Sequence, residues 1–210
     1  MKKFKHIIFD LDGTIYDTDK SIFKIWEFLL NREFPQFDTS KVDFTITLGV
    51  STKLAMEKMG LPYTDEFDHM FTKEYHRFAH LISVYNGMEE TIKTLKDQGY
   101  NLGVVSSRPY REYDAYLKPF GLDIYLDSKV LKDDTNLHKP KAEPLLKYLE
   151  KNNLNKEDCI YIGDMDTDIL CAKNAGIKSG LMVWDKTKIF NEKADIVFYN
   201  AEELKNYFIF

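Results

Sequence analysis

Cysteine is scarce in this 210-residue sequence, with Cys159 and Cys171 the only two. Two thiols make no disulfide framework, and a chain of this length does not need one. Neither stands in a Cys-x-x-Cys pair, so a structural zinc site has no pattern to rest on. Long apolar runs are lacking as well. The basic start, Lys2, Lys3 and Lys5, is followed by an apolar stretch that stops at Asp10. That is too short for a secretory core, and no stretch approaches the roughly 18 apolar residues of a membrane span. Positive charge is not in excess: 29 Lys and Arg face 34 Asp and Glu, a net charge of -5. Such a balance gives no overall attraction to nucleic acid or to an anionic membrane, so any anion must be captured by a local site. Internal repeats and low-complexity tracts are missing too. The expectation is a chain of the reducing cytoplasm, monomer or weak homodimer, with neither a nucleic-acid nor a membrane partner.

What is present is ordinary globular material. Apolar residues make up 44% and charged residues 30%, enough for a packed core. Short apolar blocks at Phe4–Phe9, Tyr100–Val105, Cys159–Ile162, Gly180–Trp184 and Asp195–Phe198 read as strands, and their lack of clean alternation points to a parallel sheet covered on both faces. Helical patterns lie between or after them. Glu89–Gln98 stops at Gly99, Arg111–Phe120 at Gly121 and Thr167–Ala175 at Gly176, each a good residue for closing a helix. Ala142–Asn152 places Leu145, Leu146 and Leu149 on one stripe, and Asn200 with Glu203 resembles a capping box. Strand followed by helix, repeated, is the signature of a doubly wound α/β sheet.

One stretch breaks that rhythm. Between the first strand and Tyr100 lie helical patterns at Ser21–Asn31, Thr52–Met59 and Asp65–Ser83, with no strong strand. A crossover needs only about a dozen residues, so the economical reading is a helical module inserted at 17–84. The α/β unit would then comprise 1–16 and 85–210.

In open α/β sheets ligands bind at the carboxyl ends of the strands. The first strand ends in Asp10-Leu11-Asp12-Gly13-Thr14, the next in Ser106-Ser107, and the third in Gly163-Asp164-Met165-Asp166-Thr167-Asp168; Lys139 lies in the loop before the Ala142 helix. Asp10, Asp164 and Asp168 in one pocket would need a cation to relieve their repulsion. Oxygen donors without His or Cys favour Mg²⁺. Lys139 offers a point charge for a phosphoryl group, Ser106 and Ser107 offer hydroxyls, and Gly13 lets backbone N–H groups come close to an anion. A carboxylate in that setting can attack phosphorus, with Asp12 donating a proton to the departing oxygen and later taking one from water.

The motifs IIFDLDGT (Ile7–Thr14), GVVSS (Gly103–Ser107), HKPKAEP (His138–Pro144) and YIGDMDTDILCAKNAG (Tyr161–Gly176) resemble, in order and spacing, those of the haloacid dehalogenase superfamily of phosphotransferases. The insert is similar to the cap of its branch of phosphoglycolate phosphatases and β-phosphoglucomutases. The resemblance implies a Rossmann-like core with a helical cap and a Mg²⁺-dependent phosphatase of a small phosphorylated metabolite. It further implies Asp10 as nucleophile and Asp12 as acid and base, with Ser106 and Lys139 holding the phosphoryl group. The ion would lie on Asp10, the Asp12 carbonyl and Asp164, with Asp168 in support. Ser106 stands where Thr is commoner, which keeps the hydroxyl. The segment LGVSTK (Leu48–Lys53) lacks an Arg that mutase-like members tend to carry. Asp12 speaks against dehalogenation, which has no alkoxide to protonate. A phosphomutase of the same branch and a silent binding protein are the alternatives.

Other residues read more plainly. His69, His76 and His80 fall on one helix without a metalloprotease acid and are taken as cap surface or core, and Trp26, Phe67, Phe71 and Phe78 as cap core. Asp17 and Asp19 read as helix caps, Asp166 as a cap near the cation, and Arg108 as either a substrate contact or the partner of an acid.

Overall fold

The computed structural model describes residues 4–210, so Lys2 and Lys3 lie outside it. In chain order its elements are β1 (His6–Phe9), β2 (Tyr16–Asp17), α1 (Asp19–Glu33), α2 (Thr52–Lys58), α3 (Asp65–Phe78), β3 (Ser83–Val84), α4 (Met88–Asp97), β4 (Asn101–Val105), α5 (Tyr110–Glu112), β5 (Ser128–Val130), α6 (Glu143–Asn152), β6 (Cys159–Gly163), α7 (Asp166–Ala175), β7 (Lys178–Met182), β8 (Ile196–Phe198) and α8 (Ala201–Ile209). The chain divides into two compact units, one running through Tyr16 and resuming at Val84–Phe210, the other Asp17–Ser83.

The first unit is a six-stranded sheet in the order β5-β4-β1-β6-β7-β8. Every pairing in it is parallel. The chain starts at the centre with β1, winds outward through β4 and β5, then returns to the other side of β1 as β6. Strand order therefore reverses at β1, and a crevice opens at the carboxyl ends there. Ile7, Ile8, Phe9, Leu102, Val104, Val105, Ile160 and Ile162 are buried, as expected of strands covered on both faces. One cluster packs Ile8, Val105, Leu145, Tyr148 and Tyr161 together with Cys159 and Cys171.

Several local expectations change. β5 escapes the sequence reading because Ser128-Lys129-Val130 has a charged centre and only three residues. The helix expected over Arg111–Phe120 is one turn of α5 followed by a wider π turn, in which Lys118 N–H donates to Tyr113 O. Pro119 has no N–H to continue the ladder, and the chain tightens into a 3-10 turn over Lys118–Phe120. On α6 Pro144, Leu145 and Tyr148 are buried, while Leu146 is exposed. At 100° per residue, Leu146 points away from the face that Leu145 and Tyr148 share. Asn200 does cap α8, its Oδ1 accepting from Glu203 N at 2.8 Å.

In the second unit, Trp26 of α1 packs against Phe67 and Phe71 of α3, with ring centroids 5.6 and 5.1 Å apart. Ser51 and Thr64 cap α2 and α3 by accepting from Leu54 N and Phe67 N. Thr18, rather than Asp17 or Asp19, is the N-cap of α1, and Asp19 lies in its first turn. The third helix ends at Phe78, short of Ser83, and passes through a 3-10 turn to β3. His69, His76 and His80 are exposed.

Candidate active site

Register brings the site together. Phe9 pairs with Val104 of β4 and with Ile162 of β6, so Asp10 leaves the sheet beside Val105 and Gly163. Its N–H donates to Ile162 O at 2.8 Å, which fixes the carboxylate at the crevice. Asp164 follows β6 directly, and Asp168 lies in the first turn of α7. Asp10, Asp164 and Asp168 are all buried, and each offers an oxygen within 4.8 Å of the other two.

Lys139 enters this group from the loop before α6. That loop is tied to α7, because Asn174 Nδ2 donates to Pro140 O at 2.9 Å and Cys171 Sγ to Lys141 O at 3.0 Å. Lys139 Nζ lies 2.8 Å from Asp10 Oδ2 and 2.6 Å from Asp168 Oδ1, and donates to Tyr161 OH at 3.2 Å. Asp168 Oδ2 accepts from Asp164 N at 3.2 Å and Met165 N at 3.0 Å. Both oxygens of Asp168 are thus engaged inside the protein, which suits a carboxylate that orients its neighbours. Asp10 differs. Its Oδ2 faces Lys139, while its Oδ1 is buried with no hydrogen-bond partner.

Three carboxylates against one enclosed ammonium leave an excess of negative charge in a place water hardly reaches. Burial, reinforced by Asp168 and Asp12 and opposed by Lys139, pushes Asp10 up to about 7. Asp164 is raised well above the ordinary carboxylate range by burial, then by Asp168 and Asp10. Burial works against the charge of Lys139, but Asp10 and Asp168 hold its ammonium above the usual range. An orphaned oxygen on Asp10, an all-oxygen donor set and uncompensated charge together fit a hard divalent cation.

The turn after β1 is wound on Leu11 O, which accepts from Thr14 N, Ile15 N and Tyr16 N. Gly13 has φ +73°, and a Cβ there would lie 2.2 Å from Asp164 Oδ2. The glycine thus makes room for a carboxylate. Gly13 is expected to let backbone N–H groups near an anion, and its own N–H is not one of them, since Tyr16 O takes it at 2.8 Å. Thr14 Oγ1 donates to Asp164 Oδ1 at 3.3 Å, a contact the sequence reading missed.

Ser106 is buried one residue beyond β4, and its Oγ accepts from Arg108 N at 3.3 Å. Ser107, expected to join it, is exposed. Successive residues at a strand end face opposite ways, so the two serines do not share one surface. Arg108, left open between two roles, pairs with acids. Its Nε donates to Asp12 Oδ2 at 2.9 Å, its Nη2 to Asp12 Oδ1, and its Nη1 to Glu112 Oε2 at 3.1 Å. A guanidinium fork on both oxygens fixes the rotamer of Asp12. Tyr161, read only as a strand residue, donates to Val105 O at 2.8 Å and lies 3.1 Å from Asp168 Oδ1, joining β4, β6 and α7 below the site.

The profile of the haloacid dehalogenase-like hydrolases matches residues 7–182, from β1 through the end of β7. The chain belongs to that family. Pyrophosphatase PpaX of Halalkalibacterium halodurans is 35% identical over 188 residues, covering 84% of this chain and 82% of its own length. Pyrophosphatase PpaX of Bacillus cereus strain Q1 is 30% identical over 187 residues, covering 87% and 84%. Among solved structures, a candidate phosphoglycolate phosphatase of Lactobacillus plantarum superimposes with a TM-score of 0.86 at 23% identity, covering 97% of this chain and 98% of that one. Membership and relatives make the chain a hydrolase of the phosphatase class. No described helix is long and apolar enough to cross a membrane.

Proposed function

We propose that the chain is a Mg²⁺-dependent phosphatase of small phosphorylated metabolites that works through an aspartyl-phosphate on Asp10. The observation that carries this reading is the state of Asp10, with one oxygen on Lys139 at 2.8 Å and the other buried and unpartnered. Asp10, the Asp12 carbonyl and Asp164 would hold the ion, with Asp168 orienting them. When bound, Mg²⁺ offsets the carboxylate charge and polarises a phosphoryl oxygen.

The chain's own residues do the rest. Lys139 orients the Asp10 carboxylate through Oδ2. A bond forms from a carboxylate oxygen of Asp10 to phosphorus as the bond from phosphorus to the leaving oxygen breaks. Asp12 gives that oxygen a proton. Water then attacks phosphorus, Asp12 takes a proton back, and phosphate and the Asp10 carboxylate are released. Arg108 on both oxygens of Asp12 suits the proton-accepting half. Donation requires Asp12 to give up part of that fork. Ser106 supplies a hydroxyl to the phosphoryl oxygens, and the helical unit at 17–83 is assigned the specificity role of a cap.

The pyrophosphatase relatives at 30–35% identity support inorganic pyrophosphate as the first substrate to test, with phosphoglycolate and sugar phosphates beside it. Phosphate release should require Mg²⁺, and Asp10→Asn should lower it by more than about 1,000-fold. Activity of Asp10→Asn near that of the wild type would overturn the nucleophile assignment.

A further inference from the structure

The loop between β7 and β8 brings a second lysine to the carboxylates. Lys188 Nζ lies 3.9 Å from Asp164 Oδ2, with its side chain 30% exposed against 8% for Lys139. Lys139 is enclosed and holds the cluster together. Lys188 is the more exposed of the two lysines and lies at ion-pair range from Asp164.

This loop is anchored at several points. Thr187 N and Oγ1 donate to Asp185 Oδ1 at 2.8 and 2.7 Å, and Lys188 N donates to Asp185 O at 3.2 Å, closing a turn that presents the lysine. Asp166 then fastens the far end, accepting from Asn191 N at 3.0 Å, Asn191 Nδ2 at 3.1 Å and Glu192 N at 3.1 Å. Phe190 packs against Ile169, Leu181, Val183 and Ala194. Asp166 belongs to the first turn of α7, the element that carries Asp168. The position of Lys188 is therefore tied to that of the catalytic carboxylates.

We infer that Lys188 is a specificity residue that receives a second anionic group of the substrate, the distal phosphate or a carboxylate, while the reacting phosphoryl group lies on Asp10. The inference rests on the phosphatase reading and narrows it to substrates bearing two anionic groups. A cation held by the cluster would offset the charge of Asp164, and the Lys188 ammonium would then offer an N–H donor to an incoming anion. A substrate with one phosphoryl group and a neutral leaving group gains nothing from this contact.

Equilibrium binding tests the claim independently of turnover. Methylenediphosphonate and orthophosphate are titrated in Mg²⁺ onto the wild type, Lys188→Met and Lys188→Arg, with thermal melts verifying the fold. For Lys188→Met the Kd of the diphosphonate should rise roughly tenfold or more, the scale of one lost charged hydrogen bond, while orthophosphate moves less than about twofold. Lys188→Arg should restore most of the difference. Equal weakening of both ligands would place Lys188 in support of the metal cluster and overturn the proposal. So would unchanged binding of both, or a wild type that binds diphosphonate no more tightly than orthophosphate. A wild type that shows the selective binding but hydrolyses no phosphate refutes the phosphatase reading and leaves the role of Lys188 standing.

Discussion

Replacing Lys139 by Met would remove the only ammonium within hydrogen-bond range of both Asp10 and Asp168 among the described residues, at 2.8 and 2.6 Å. The three carboxylates left behind offer oxygens within 4.8 Å of one another. At that separation two like charges repel by about 3–4 kcal/mol at an effective dielectric near 20. Breaking a buried ion pair by removing one partner costs about 3–5 kcal/mol, in line with that figure. In EDTA at pH 8, Lys139→Met should therefore lose about 3–5 kcal/mol by denaturant titration, a fall in Tm of roughly 6–20 °C for a chain of this size. The sign with pH follows from Asp10. Its pKa is raised in the folded state to about 7, so protonation favours the fold and that stabilisation disappears as pH rises through 7. At pH 5.5 the loss should shrink to under about 2 kcal/mol, because the repulsion is relieved by protons. Saturating Mg²⁺ at pH 8 should restore more stability to the variant than to the wild type. A loss equal at both pH values and indifferent to Mg²⁺ would mean that Lys139 contributes through packing, and the electrostatic account would fail.

Other perturbations probe the scaffold. Gly13→Ala adds a Cβ 2.2 Å from Asp164 Oδ2 at φ +73°. It should cost about 1–2 kcal/mol in strain and raise the Mg²⁺ concentration for half-maximal activity by about tenfold or more; an unaltered Mg²⁺ titration would remove the glycine from the site. Leu145→Ala should destabilise by about 3 kcal/mol, whereas Leu146→Ala should stay within about 0.5 kcal/mol in parallel melts. Comparable losses for the two would contradict the burial of Leu145 and the exposure of Leu146.

Much of the sheet was legible because buried parallel strands leave continuous apolar blocks, as at His6–Phe9 and Cys159–Gly163, and because glycine marks helix ends, as at Gly176. β5 was not, since three residues with Lys129 at the centre carry no period. Leu146 was misplaced because a leucine triplet reads as apolar on any face, and only packing against β5 and α7 selects which side is covered. That Gly13 makes room is legible from its identity, whereas the engagement of its own N–H by Tyr16 O is not. Ser107 shares a residue type with Ser106, but strand alternation separates them.

Residue types and their order determined that Asp10, Asp12 and Asp164 stand where buried strands end, since apolar runs must stop somewhere and these acids sit at those stops. Tertiary structure alone decided how these groups are shared out. Lys139 is drawn to Asp10 and Asp168, Arg108 to Asp12 and Glu112, Lys188 to Asp164, and one oxygen of Asp10 is left without a partner. These charges, paired across up to 129 residues of chain, carry no mark of their partners (Asp10 and Lys139 are the extreme), because Coulomb's law acts on distance in space and burial decides how strongly.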